Sequence, residues 1–161
     1  MEKHTIVAVD DDPITRKILE IALEARSYPA KIVCDGKEAI AALQNAHFDL
    51  VITDLQMNDV DGFTVLEKAG ELSPSTARIV ITSSHDVSAA IKAIDIGVDG
   101  YQLKPFAVGE LLSCIDRAMS KLKSKKNMAV KKQQTSMTLL SGIRKADRPL
   151  HSPPSPIWQN N

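Results

Sequence analysis

Short, β-branched apolar segments alternate five times with stretches of helical period in the first 120 residues of this 161-residue chain, and this alternation restricts the fold more than any other feature. The apolar segments are Thr5 to Val9, Ala30 to Cys34, Leu50 to Thr53, Arg78 to Thr82, and Gly100 to Leu103. Strands that are joined through helices run parallel with right-handed crossovers, so helices cover both faces of their sheet. The sequence therefore predicts an α/β domain with a five-stranded parallel sheet flanked by five helices.

The stretches between these segments carry apolar residues three and four positions apart, which is typical of helices with one buried face. The stripes expected to face the sheet include Ile14, Ile18, Ile21 and Ala25 in the first helix, and Val87, Ala90, Ile91 and Ile94 in the fourth. Asp12 followed by Pro13 offers a capping carboxylate and a proline at the first helical position. Either Asp86 or Ser88 could cap the fourth helix. A last helix is predicted over about Val108 to Lys123.

Charge divides the chain into two parts, although its 20 basic and 20 acidic residues balance. Residues 1 to 120 hold 11 Lys or Arg and 19 Asp or Glu, a net charge of −8, whereas residues 121 to 161 hold 9 and 1, a net charge of +8. The second part is also richer in proline and serine and poorer in large apolar residues. We therefore expect a folded domain over residues 1–123 and a flexible, mostly disordered basic tail over residues 124–161.

Several classes of protein are disfavoured by what the sequence lacks. The longest apolar run, Ala39 to Leu43, has five residues, whereas a helix that crosses a bilayer needs about 20. The first residues lack the apolar core of a signal peptide. Cys34 and Cys114 are too far apart in sequence to suggest a disulfide framework or a clustered metal site, and both are expected to be inert, core-facing thiols. We expect a cytoplasmic protein without membrane insertion.

Polar side chains follow four of the predicted strands, at the edge where an open parallel sheet binds its ligands. These are Asp10-Asp11-Asp12 after the first strand, Asp54 after the third, Thr82-Ser83-Ser84 at the end of the fourth and Lys104 after the fifth. Each has a simpler interpretation by itself, since acids cap helices and a loop lysine is normally solvated. Their joint position at one edge favours a binding or catalytic site.

The residue types at this edge suit phosphoryl chemistry. Crowded carboxylates such as Asp10, Asp11 and Asp54 repel one another unless a cation neutralises them, and an all-oxygen site with free positions suits Mg²⁺. A carboxylate beside that ion can attack phosphorus, with Lys104 supplying an ammonium group and Thr82 a hydroxyl donor to the phosphoryl oxygens. A flavin site, the other ligand common in such folds, is disfavoured because three acids would repel a phosphate without a metal.

The segments that carry this chemistry resemble the receiver domain of the two-component response-regulator family, whose simplest members are CheY-like single-domain chemotaxis regulators. The matching segments are Ile6 to Pro13, Phe48 to Asp54, Met57 with Asp61-Gly62, Arg78 to Ser83, and Asp99 to Phe106. Together they span about residues 4 to 122. The resemblance implies a flavodoxin-like receiver fold that takes part in a phosphorelay.

For the phosphoacceptor and its metal, the resemblance implies specific roles. Asp54 would accept the phosphoryl group. Mg²⁺ would be held by Asp10, Asp11, Asp54 and the backbone carbonyl of Gln56, with Asp11 as a direct ligand and Asp10 acting chiefly through water. Asn58 stands where the family often has proline, which makes the backbone of this loop harder to predict.

For the response, the resemblance implies that Thr82 and Lys104 contact the phosphoryl group and that Thr82 and Tyr101 form a switch. When the hydroxyl turns towards the phosphoryl group, the aromatic ring would swing inward and alter the face made by the fourth helix, fifth strand and fifth helix. The phosphoryl donor would be a phosphohistidine on a sensor histidine kinase or a histidine phosphotransfer protein. Such a protein catalyses only its own phosphoryl transfer and dephosphorylation.

Two functions follow from these features. The first is a stand-alone response regulator receiver that changes its affinity for an unidentified downstream protein. The alternative is a receiver-controlled effector whose basic tail, with its six lysines between residues 121 and 132, binds nucleic acid. Met137 to Ile143 could form a short partner-binding helix, and Trp158 could dock on a partner. His85 is expected to be an exposed loop histidine.

Overall fold

The computed structural model describes residues 4–146 and has the expected α/β receiver fold. The strands are β1 (Ile6–Val9), β2 (Ala30–Val33), β3 (Leu50–Asp54), β4 (Ala77–Thr82) and β5 (Gly100–Leu103). The helices are α1 (Pro13–Ala25), α2 (Gly36–Asn45), α3 (Gly62–Leu72), α4 (Val87–Ile96) and α5 (Val108–Ala146). All strand pairs are parallel, and their order in the sheet is β2-β1-β3-β4-β5. The fold class predicted from the sequence is confirmed.

The strand order positions the site. After β1 the chain continues to β2 on one side and then returns to β3 on the other, so the carboxyl ends of β1 and β3 flank the switch point where open α/β sheets bind ligands. Val9 is in register with Thr53, which brings Asp10 level with Asp54 at this edge. Pairing across these two strands therefore makes neighbours of two acids that are far apart in sequence.

The core has one part on each face of the sheet. On one face, Leu19 and Leu23 of α1 and Leu111 and Ile115 of α5 pack against the strands. The other face is covered by α2, α3 and α4. Every residue of β1 and β3 is buried, as expected for central parallel strands.

The predicted inward stripe of α1 is wrong. Ile14 is 71% exposed, and Ile21 and Ala25 are also exposed, while Ile18 is only partly buried. The helix instead buries the neighbouring stripe of Thr15, Leu19, Ala22 and Leu23. Two apolar stripes of helical period run side by side in this segment, and the position of the sheet, which periodicity does not contain, decides which one is buried.

The predicted stripe of α4 is corrected in the same way. Val87, Ile91 and Ile94 are 70%, 54% and 73% exposed, and the helix buries Ala93 instead. Small residues such as Ala93 let α4 lie close to its neighbours, and the larger apolar residues then remain outside. The capping predictions do better, because Asp12 caps α1 as expected and Asp86, one of the two alternatives, caps α4.

The last helix extends far beyond its expected end near Lys123. It continues to Ala146, whereas a mostly disordered segment was expected from residue 124 onward. Residues 124–146 are poor in core-forming side chains, but they are rich in Lys, Gln, Met and Leu and contain no proline, so their helix propensity is high. Ability to form a core and propensity to form a helix are separate properties. The predicted roles of Trp158 and of the Pro/Ser segment lie outside the described residues.

The chain divides into two compact units, with the first ending at Lys126 and the second beginning at Asn127. Within the first unit Cys114 is buried and burial raises the pKa of its thiol, which agrees with an inert role. Cys34 is exposed, contrary to the prediction, because it follows the last paired residue of an edge strand. His85 is exposed as predicted. Among residues 4–146, no helix combines the length and apolar content that a membrane crossing requires.

Candidate functional site: an acidic crevice at the carboxyl edge of the sheet

Three carboxylates from two strand ends meet in the crevice. Asp10 follows β1 directly and is fully buried, Asp54 is the last residue of β3 and is 4% exposed, and Asp11 is the next residue along the first loop. One carboxylate oxygen from each lies within 4.8 Å of the others. The structure thus brings together the three acids that the sequence predicts as metal ligands.

Lys104 reaches the same crevice from the end of β5. Its Nζ donates a hydrogen bond to Oδ2 of Asp54 at 2.9 Å and lies 2.6 Å from Oδ2 of Asp10. Its backbone N–H donates to the carbonyl of Thr82, which continues the pairing of β4 and β5 by one residue and fixes the start of the lysine side chain. The side chain of Lys104 is 17% exposed, so the ammonium group is largely sheltered from solvent.

The crevice has more negative charge than its own lysine can neutralise. Burial raises the pKa of Asp10, and this effect exceeds the opposing effects of the nearby Lys104 ammonium group and of the hydrogen bond from the Asp12 backbone. Burial alone would lower the pKa of Lys104, but its close contacts with the carboxylates of Asp10 and Asp54 outweigh that effect and raise it. Oδ2 of Asp10 is buried and, despite the short distance to Lys104, accepts no hydrogen bond of regular geometry.

Two contacts that the sequence analysis missed hold the acidic loop in place. Nη1 of Arg16 donates to the backbone carbonyls of Asp10 and Asp11, at 2.9 Å each. Nδ2 of Asn58 donates to Oδ2 of Asp11 at 3.1 Å. Arg16 lies one helical turn beyond the cap residue Asp12, which is a spacing that could have suggested a return contact. No sequence signal predicts the Asn58 contact, because it depends on the path of the loop after β3.

Close backbone packing holds the segment around Asp54 in place. A Cβ atom on Gly62 would overlap the backbone carbonyl oxygen of Asp54, so only glycine fits where α3 begins. The N–H of Gly62 donates to the carbonyl of Leu55 at 3.0 Å. The N–H of Gln56 donates to Oδ1 of Asp54 at 3.2 Å, so the two carboxylate oxygens of Asp54 are held by different partners.

Thr82 and Tyr101, the two residues predicted to form a switch, lie on neighbouring strands. Thr82 is fully buried at the end of β4, and its Oγ1 accepts a hydrogen bond from the N–H of Ser84 at 3.1 Å, which leaves the hydroxyl hydrogen free for another acceptor. Tyr101 is partly buried in β5 and packs on the cluster that includes Leu66 of α3 and Ala93 of α4. Burial raises the pKa of Tyr101.

The donor set fits a hard divalent cation. Mg²⁺ prefers oxygen ligands, and it binds through one or two carboxylates while keeping several waters. The crevice offers three carboxylates within reach of one another, one of them with a buried oxygen that accepts no hydrogen bond of regular geometry. The oxygens of Asp10, Asp11 and Asp54 could hold such an ion, and its charge would offset the repulsion among them.

Comparison with known proteins agrees with this geometry. The model of the response regulator receiver domain family matches residues 6–116, and the chain belongs to this family. A probable transcriptional regulator, ycf27, of Porphyridium aerugineum is 33% identical over 131 residues, which are 80% of this chain and 54% of that protein. The chain spans about half or less of the length of the curated relatives it matches.

Solved structures give the same result for the fold. The CheY-like receiver domain protein of Methanospirillum hungatei has a TM-score of 0.73 and 27% identity, and the match covers 77% of this chain and 99% of that one. The BeF3-activated receiver domain of DrrB, from Thermotoga maritima, has a TM-score of 0.68 and 25% identity over 74% of this chain and 99% of that one. The chain is therefore a receiver of two-component signalling, with an acidic pocket of the kind that typically binds Mg²⁺ and a histidine kinase as the implied partner.

Proposed function

We propose that Asp54 accepts a phosphoryl group from a phosphohistidine on a sensor histidine kinase or a histidine phosphotransfer protein, and that the modified receiver changes its affinity for a downstream protein. The observation that carries this proposal is the position of Asp54, with the ammonium group of Lys104 at 2.9 Å and the carboxylates of Asp10 and Asp11 beside it. In this proposal the receiver works in the cytoplasm and catalyses only its own modification and its reversal.

The bonds that form and break in the transfer lie between Asp54 and the phosphohistidine donor. An oxygen of the Asp54 carboxylate bonds to phosphorus while the phosphorus–nitrogen bond of the phosphohistidine breaks, and the electron pair of that bond returns to the imidazole nitrogen. Lys104 then pairs with a phosphoryl oxygen, and the free hydroxyl hydrogen of Thr82 is donated to another. Mg²⁺ bound by Asp10, Asp11, Asp54 and the carbonyl of Gln56 would supply further positive charge to these oxygens.

The response is a rearrangement beside β5. Once the Thr82 hydroxyl donates to the phosphoryl group, Tyr101 moves inward and the surface of α4 next to it changes. This surface already exposes Val87, Ile91 and Ile94, which suits it to contact another protein. A shift from 1:99 to 99:1 between two packings would need about 5.5 kcal/mol of differential binding, and partial switching needs less.

The experiment that tests this proposal is phosphorylation of the full chain by a small acyl phosphate with Mg²⁺, followed by intact-mass measurement. We expect the wild type to gain the mass of one phosphoryl group, and Asp54→Asn to gain none. Asp61→Asn is the matched control, because Asp61 is an exposed acid that only caps α3, and it should be modified like the wild type. Modification of Asp54→Asn, or modification that is equally fast without Mg²⁺, would contradict the proposal.

A further inference from the structure

The described part of the second unit is a helix whose large apolar side chains are exposed. Between Asn127 and Ala146 the helix has no proline and forms the last part of α5. Its exposed apolar residues are Met128 (71%), Val130 (52%), Met137 (71%), Leu139 (64%), Leu140 (58%) and Ile143 (61%). Most helical stability in proteins comes from the packing of an apolar face rather than from propensity. Leu140 and Ile143, which are three positions apart and share one side of this helix, therefore offer an apolar contact to a partner.

The spacing along the helix identifies the kind of partner. Intervals of four, three, four and three residues join Ala129, Gln133, Ser136, Leu140 and Ile143 into one seam. An average spacing of 3.5 residues keeps a seam in contact with a second helix wound around the first, as in coiled coils. The small side chains of Ala129 and Ser136 allow a second helix to approach closely, while Leu140 and Ile143 supply the apolar contact.

Polar groups within the seam favour a protein helix over a lipid surface. Lys132, Gln133 and Ser136 line the same concave surface as Met137 and Leu140. Burying an amide or hydroxyl without a hydrogen-bond partner costs free energy, and hydrocarbon chains provide no such partner. A helix with polar side chains opposite Gln133 and Ser136 satisfies both groups.

The charge of this segment determines the charge of the partner. No acidic residue occurs between Asp116 and Ala146, and the charged residues of the second unit up to Ala146 are Lys131, Lys132, Arg144 and Lys145. A second copy of this helix would bring only further positive charge to the seam. A nucleic acid would pair with the lysines through its phosphates but would leave Leu140 and Ile143 without an apolar contact.

We propose that residues 129–143 form a docking surface for an acidic amphipathic helix of a partner protein, which packs along the seam as in a two-stranded coiled coil. This inference is independent of phosphoryl transfer, because none of its residues contributes to the acidic crevice. A receiver that fails to accept a phosphoryl group can still bind such a helix, and the reverse also holds.

The test uses the full chain and a labelled synthetic helical peptide of about three heptads. The peptide carries Leu and Ile at the 4–3 positions, Asn opposite Gln133 and Glu at the flanking positions, and binding is followed by fluorescence anisotropy. A second peptide with Lys in place of every Glu is the control for charge. We expect the acidic peptide to bind at least about tenfold more tightly than the basic one.

Variants of the chain locate the contact. Leu140→Asp should weaken binding of the acidic peptide by at least about tenfold, whereas Thr138→Asp, with the same charge change on the opposite side of the helix, should weaken it by no more than about threefold. Leu140→Ala retains a strong helix former, so loss of affinity in this variant cannot be attributed to unfolding of the helix. Circular dichroism of each variant verifies that the helix is retained.

Four outcomes would overturn the inference. The first is equal binding of the two peptides, and the second is equal effects of Leu140→Asp and Thr138→Asp, which would indicate non-specific attraction. The third is a dimer in sedimentation velocity that Leu140→Asp dissociates, which would assign the surface to a second copy. The fourth is binding of duplex DNA or anionic vesicles more tightly than the acidic peptide, which would assign it to a polyanion or a membrane.

Discussion

Lysine contacts aspartate both where the strands end, which we call the carboxyl edge, and where the strands begin, which we call the amino edge. The balance of charge differs between the two edges. At the carboxyl edge, the carboxylates of Asp10 and Asp54 share the ammonium group of Lys104, and the carboxylate of Asp11 lies beside them. At the amino edge, two aspartates each have a lysine from α5. Nζ of Lys126 lies 3.0 Å from Oδ1 of Asp49, and Nζ of Lys125 lies 2.9 Å from Oδ1 of Asp99.

The second oxygen of each aspartate at the amino edge is also satisfied. Oδ2 of Asp49 accepts a hydrogen bond from the N–H of Thr5, and Oδ2 of Asp99 accepts one from the N–H of Arg78. Burial raises the pKa of Asp49, but the hydrogen bonds from Lys126 and Thr5 together outweigh this and the net shift is downward. The pKa of Asp10 shifts the other way. At the amino edge both oxygens of Asp49 and of Asp99 have partners, so these contacts serve to hold the structure together. At the carboxyl edge the carboxylates lack enough positive charge, which makes that edge a site for a cation.

The largest expected effect tests how the carboxyl edge is held together. Gly62→Ala places a Cβ against the backbone carbonyl of Asp54, which cannot move aside as a side chain could, so we expect the free energy of unfolding to fall by about 3 kcal/mol or more. Gly109→Ala is the control, since nothing lies within 4 Å of a Cβ there. Urea denaturation of both variants measures the effect. Similar stabilities of the two variants would contradict the packing described.

The second prediction concerns the difference in charge between the edges. Mg²⁺ at about 100 times its Kd should stabilise the wild type by about 2 to 3 kcal/mol, because the ion binds the folded state. Asp11→Asn should lose most of this stabilisation. Asp49→Asn, which removes an acid from the amino edge, should retain it. Thermal unfolding with and without Mg²⁺ tests both variants. If both variants lost the stabilisation by Mg²⁺ equally, the ion would not bind specifically at the carboxyl edge.

The third prediction uses pH at the amino edge. The pKa of Asp49 is lower in the folded chain than its usual value of 3.8, so its pairing stabilises the fold above that value, and this contribution is lost as the pH falls through the lowered pKa. Asp49→Asn should therefore reduce the free energy of unfolding by about 1 kcal/mol near pH 7. The difference from the wild type should shrink in acid below 3.8. A difference in stability that grows as the pH falls would contradict the lowered pKa of Asp49.

The smallest effect is expected at Asn58. Its amide bond to Asp11 is exposed, so Asn58→Ala should change the free energy of unfolding by no more than about 0.5 kcal/mol. Because the amide no longer holds one oxygen of Asp11, the affinity for Mg²⁺ should rise by up to about threefold, as measured by titration calorimetry. A fall in affinity would mean that Asn58 orients Asp11 for the metal instead.

The acidic crevice could be predicted from the sequence because parallel strands end at a common edge. That rule alone brings Asp10, Asp54 and Lys104 together, and the structure confirms their proximity. The buried faces of α1 and α4 could not be predicted, since Ile14 and Val87 lie in apolar stripes that compete with others of the same period. Such a choice depends on tertiary packing, which single-sequence patterns do not encode.

The contacts at the amino edge were missed for a related reason. Asp49 is approached by His4 at 3.5 Å and by His47 at 3.8 Å as well as by Lys126, although these residues share no spacing in sequence. Lys126 reaches Asp49 only because the helical segment after residue 123 continues, and a segment expected to be disordered offered no reason to pair its lysines. Because the end of α5 was predicted too early, the contact between Lys126 and Asp49 was not predicted.

The position of Asp54, the proposed phosphoacceptor, at the end of β3 has a consequence for dynamics. β4 pairs with all five residues of β3, β1 pairs with the first four, and all five are buried. Amide hydrogens in such a strand exchange with solvent only when the whole domain opens. The proposed phosphoacceptor therefore belongs to the strand whose backbone should exchange most slowly in this receiver, so that loops and side chains around it, rather than β3 itself, would move when it is modified.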